Sequence, residues 1–233
     1  MNPFESPDGN IAQTSTMAEE SELFLALRAG DDDAIRRAIE AEPGRALCRD
    51  ADGNSLLMSA LLHRRTELVA FLLERLGSLD CFEAAALGRL NDLAAAASRS
   101  HSVITNQAPD GTTVLHIAAH FGHADLVSWL IRHGAPVDSV ARNPSLSRPI
   151  HHAVAAGSAR VAIALLQAGA DPNGPQRGGY TPLHLAAHRG DADLVDLLVA
   201  HGADVNLPSD DRQLPADLAR TRGHLAIAAR LTR

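Results

Sequence analysis

Apolar residues recur along this chain in two alternating patterns. One is a short, small-sided run, as in Leu183, Leu185, Ala186 and Ala187. The other is a longer stripe, as in Leu194, Val195, Leu197 and Leu198. Both follow a helical period. The stretch 179–206, GYTPLHLAAHRGDADLVDLLVAHGADVN, carries the two in sequence. Thr181 is placed as a helix N-cap and Pro182 as the first helical residue, where a preset φ helps and the missing N–H has no partner to lose. Gly190 stops this helix. Asp191 and Asp193 put negative charge at the start of the next, and Gly202 supplies a left-handed residue at its end. The pattern predicts a helix–turn–helix unit.

One such unit does not bury its own apolar face, so it needs stacked copies. The helix-ending glycines recur accordingly. Gly88, Gly122, Gly157, Gly190 and Gly223 follow one another at 34, 35, 33 and 33 residues. With DGTTVLHIAAHFGHADLVSWLIRHGAPVD at 110–138, the stretch above closely resembles ankyrin repeats. The resemblance implies an all-α solenoid of about seven helix–turn–helix repeats with short hairpin fingers. It covers residues 21–233, with repeats near 21–51, 52–79, 80–109, 110–142, 143–177, 178–210 and 211–233. Residues 1–20 are polar and turn-prone and are expected to be a disordered tail.

Several positions depart from the repeat pattern. Leu56, Met58 and Arg64 stand where the second repeat should have Pro, His and Gly. Only 24 residues separate Arg64 from Gly88, so the finger of the third repeat must be truncated or missing. In the fifth repeat Arg148 takes the place of the Thr N-cap. Trp129 has the spacing of a packed residue. The last repeat, rich in arginine, reads as a solubilising cap rather than a nucleic-acid patch.

Composition narrows the picture. Hydrophobic residues are 45% of the chain and aromatic ones 3%, which suits close helix stacking and argues against a sandwich. The formal charge of −7 repels nucleic acid and favours a neutral or basic protein partner. All basic residues are arginine. Cys48 and Cys81 give no disulfide framework, and no apolar run reaches transmembrane length. A cytoplasmic monomer, not bound to a membrane, is the expectation.

Twelve histidines invite a metal reading, since His116/His120 and His184/His188 each share a helix face. The metalloprotease Glu is absent, however, and no third ligand is evident. The resemblance instead implies that His116, His151 and His184, at the TPLH position, hydrogen-bond around a tight turn. It also places Asn173 and Asn206 where some ankyrin repeats carry hydroxylated asparagine. No nucleophile or phosphate-loop motif is found, so neither catalysis nor a cofactor or metal is expected.

The resemblance implies a non-catalytic module that binds a protein partner through a concave groove and its fingers. A regulatory or inhibitory subunit that blocks a partner enzyme or toxin is the alternative. Side chains at the ends of the first helices are not needed by the repeat core. From these and the finger row, the expected partner-binding residues are His120, Phe121, Arg148, Tyr180, His188, Arg189 and Arg222.

Overall fold

The structure, a computed structural model, describes residues 22–51 and 53–232; the expected tail at 1–20 lies outside the described residues. The chain forms two compact units divided between Leu79 and Asp80. Among the described residues there is no β-strand, only two isolated bridges, Arg49 with Ser55 and Gln107 with Thr113.

The first unit holds two helix pairs. Helix α1 occupies 22–29 and α2 spans Asp32–Ala41. A 3-10 turn at Pro43–Leu47 leads to α3 (Leu56–Leu62) and α4 (Thr66–Leu73). Asp31 caps α2 by accepting the Ala34 N–H at 2.9 Å, and Ser55 caps α3 by accepting that of Met58 at 3.1 Å. The core is aliphatic: Ile35, Ile39, Leu56, Leu57, Leu68 and Leu72 are fully buried. Arg65 reaches back to the preceding repeat, where it donates to the Gly30 carbonyl at 2.6 Å and pairs with Asp32 at 2.9 Å.

The second unit stacks five helix pairs. They are α5 (Cys81–Ala86) with α6 (Leu90–Arg99), α8 (Val114–His120) with α9 (Ala124–Arg132), and α10 (Pro149–Ala155) with α11 (Ala159–Gln167). Then come α12 (Pro182–Arg189) with α13 (Ala192–Ala200), and α14 (Pro215–Thr221) with α15 (Leu225–Leu231). An unforeseen turn of helix, α7 (Ser102–Thr105), follows α6 and buries Ile104. First helices pack on first helices, α5 on α8, α8 on α10, α10 on α12 and α12 on α14, while α9, α11 and α13 form the outer row. Ala118, Ala119, Ala153, Ala186 and Ala187 are fully buried in the first helices, where small side chains let neighbouring backbones come close. Asp80 and Glu83 form a reciprocal capping box on α5.

Residues 74–80 alone join α4 to α5, whereas 133–148 join α9 to α10. Trp129 corrects the sequence reading. It is half-buried rather than core, and its ring stacks on His133 with centroids 4.1 Å apart. Leu126, Val127 and Leu130 fill the core beside it.

Three residues other than glycine have a left-handed backbone, and each stands where other repeats have glycine. Arg64 (φ 56°) occupies the helix-ending place of Gly122 and Gly157. Leu146 (φ 51°) and Arg212 (φ 60°) occupy the finger place of Gly53, Gly111 and Gly179. A Cβ is unfavourable in this conformation by about 1 kcal/mol or more. Arg64→Gly and Leu146→Gly should therefore each raise stability by about 1 kcal/mol, read as a higher urea midpoint. Gly179→Ala should lower it, since a Cβ there would lie 2.7 Å from the Asp210 amide nitrogen.

Candidate protein-binding surface

The first helices of the second unit are joined through their histidines. Thr113 donates its N–H to His116 Nδ1 at 3.2 Å, with its hydroxyl 2.8 Å from the same atom. The ring proton therefore sits on Nε2, which donates to the Ser147 carbonyl in the next repeat at 3.2 Å. His184 repeats this arrangement with Thr181 (3.1 and 2.8 Å) and with Gln213 of the last repeat (3.0 Å). His151 keeps the first half: its Nδ1 accepts the Arg148 N–H at 3.1 Å, but its buried Nε2 closes no hydrogen bond. The TPLH histidines thus have a structural role, and among the described residues no group of His, Cys, Asp or Glu could hold a metal ion.

Burial sets their protonation. Desolvation holds His116 and His184 below the usual histidine range, against the opposing pull of the carbonyls they face. It lowers His151 to about 4, helped by the Arg148 charge. His152, on α10, is pushed down to about 3 by burial and by the neighbouring His116, His120 and His151. Its Nε2 lies 2.9 Å from the Ser147 hydroxyl, and its ring meets those of His116 and His120 edge-on at 5.5 and 5.6 Å. Asp110, in the finger before α8, is held low despite burial because Thr112 and Asn143 donate to it.

The expected binding residues fall into separate places. His120 and Phe121 are together at the end of α8, ring edge to ring face at 5.1 Å, and Phe121 also lies over His123 at 6.3 Å. His188, Arg189 and Arg222 lie at the ends of α12 and α14, which pack on each other. His188 is pushed down by burial and then by the charges of Arg222 and His224. Tyr180 is half-buried in its finger, edge-on to the His184 ring at 5.7 Å.

Arg148 turns away from the others. Its guanidinium donates to the Asp138 carbonyl at 3.1 Å and fills the space beside Gly174, where a Cβ would meet it at 2.6 Å. Arg189 has a duty that sequence reading missed. It donates to the Ala155 carbonyl at 2.7 Å and so caps the end of the preceding α10. His123 does the same for α5, through the Ala86 carbonyl at 2.8 Å. Both place a donor at the negative end of a helix. Asn173 is likewise engaged, its amide bridging the Gly202 carbonyl (2.9 Å) and the Asp204 N–H (2.8 Å).

Two family models match the chain. One, ankyrin repeats in three copies, matches residues 81–176; the other, ankyrin repeats in many copies, matches residues 165–219. No curated protein matches it significantly.

The buried histidines make stability depend on pH. Their folded-state pKa values lie below the unfolded value of 6.5, so the unfolded chain takes up protons first as the pH falls. Their contribution is therefore complete above pH 6.5 and is lost as the pH falls below it, for His151 down to about 4. Between pH 7 and 5 the loss should be about 2 kcal/mol for His151 alone. Urea midpoints measured across that range check this; a flat profile contradicts it.

Proposed function

We propose that this chain, which belongs to the ankyrin-repeat family, binds a protein partner through the ends of its stacked first helices in the second unit. Repeats of this family are generally protein–protein interaction modules, and they work by presenting side chains from a fixed scaffold. The carrying observation is Phe121. It is a large apolar side chain left partly exposed beside an exposed His120, at the end of a helix whose core is already filled by Leu115, Ala118 and Ala119. Aromatic and arginine side chains are the usual energetic anchors of interfaces. We leave Arg148 out of this surface, because its guanidinium already donates to the Asp138 carbonyl.

Removal of Phe121 separates binding from folding. Phe121→Ala should lower partner capture from an extract of the expressing cells at least several-fold, while stability falls by less than about 1 kcal/mol. Unchanged capture would reject this location. If the captured protein is an enzyme whose activity drops on binding, the module acts as an inhibitory subunit.

A further inference from the structure

His152 breaks the pattern of its helix row. The same place holds Ile117 in α8, Leu185 in α12 and Leu218 in α14, all apolar and partly exposed, so the fold does not call for an imidazole there. The connection before α10 is unusual as well. It runs over 133–148, two residues longer than its equivalents at 168–181 and 201–214. Its polar side chains form a relay of hydrogen bonds that ends on His152.

Donor and acceptor chemistry fixes the direction of each bond in the relay. The Asp110 carboxylate only accepts, so Asn143 gives it Nδ2–H at 3.1 Å and keeps Oδ1 for the finger. That Oδ1 accepts the Ser145 N–H at 3.0 Å and the Ser145 hydroxyl at 2.5 Å. With its one proton used, Ser145 Oγ accepts from the Ser147 hydroxyl at 2.9 Å. Ser147 Oγ in turn accepts from His152 Nε2 at 2.9 Å. His152 therefore carries its proton on Nε2 and a lone pair on Nδ1. This Nδ1 lies 3.5 Å from Nδ1 of the exposed His120, on α8.

We propose that His120 and His152 bind one divalent transition-metal ion of the zinc type through their two Nδ1 atoms. Zinc–nitrogen bonds of about 2.05 Å at a tetrahedral angle hold two ligand nitrogens about 3.4 Å apart, close to the separation found here. The relay supplies what a ligating imidazole ordinarily has behind it: a hydrogen bond on its other nitrogen that sets the tautomer and the ring orientation. His116 meets the His152 ring edge-on but takes no part, since Thr113 and the Ser147 carbonyl occupy both of its nitrogens. Among the described residues no group of three or more His, Cys, Asp or Glu encloses a metal by itself. The two imidazoles are thus half of a coordination shell, and water fills the remaining positions. The sequence hid this pair, because it joins neighbouring repeats rather than successive turns of one helix.

The test is a zinc titration of the full chain, followed by nitrogen NMR of isotope-labelled histidine side chains. Before zinc is added His152 is expected in the Nε2–H form; the Nδ1–H form would overturn the proposal. With zinc, the Nδ1 signals of His120 and His152 should move together along one saturation curve. Its midpoint should lie about tenfold or more below that of His133 and His201, single exposed histidines whose Nδ1 is taken by a helix carbonyl. His152→Leu restores the residue of the neighbouring repeats, so it should fold with a urea midpoint no lower than the parent's and lose the His120 response. Ser145→Ala breaks the relay without touching either imidazole and should weaken zinc binding about tenfold. Separate curves for the two histidines, a midpoint equal to that of His133 and His201, or a His120 response that survives in His152→Leu would each overturn the assignment. None of these readouts involves a protein partner, so the metal pair and the binding surface proposed above stand or fall separately.

Discussion

The second unit depends on one small bond: an imidazole that accepts the N–H of its own helix cap and donates to a carbonyl of the next repeat. A helix pair of this size has too little apolar surface to be stable alone, so its order comes from its neighbours. Aliphatic contacts supply most of that energy, yet they are non-directional and would tolerate a rotated or shifted partner. The hydrogen bond is directional. With His116 and His184 buried, a misplaced neighbour would leave a ring N–H without an acceptor in a dry interior, at a cost of about 1–3 kcal/mol. At the joints of His116 and His184, register is therefore set by polar atoms and strengthened by apolar ones.

The helix ends reinforce this order. Arg65, His123 and Arg189 each reach from one repeat to a terminal carbonyl of the one before. In each, a positive or polar donor meets the negative end of a helix, and the backbone groups that a short helix leaves open are satisfied by its neighbour. Helices of seven or eight residues survive because their ends are closed by other repeats as well as by their own caps.

Much of this was legible in the chain itself. Thr181 and Pro182 before an apolar run, Asp191 at the next helix start and the recurring glycines each have a local cause, and local causes are written in local sequence. The missing finger before α5 could be found by counting residues. What escaped was whatever depends on a residue some thirty positions away. Arg189 reads as a surface side chain until α10 is placed against it. Arg148 reads as a fingertip until its side chain is seen folded back on Asp138. Trp129 has the spacing of a core residue, but its ring leaves the apolar stripe to lie on His133, a contact that periodicity alone does not reveal. The candidate surface was only partly readable for the same reason: sequence named its residues, and packing decided which of them stand together.

The ring protons of His116 and His184 lie inside the joints between repeats. Solvent reaches such a proton only when the joint opens, so its exchange with water measures the parting of two particular neighbours and nothing else. The molecule thus carries two native gauges, one between α8 and the finger before α10 and one between α12 and the finger before α14. With them, fraying from the chain end can be told apart from rupture in the middle of the stack without attaching any label.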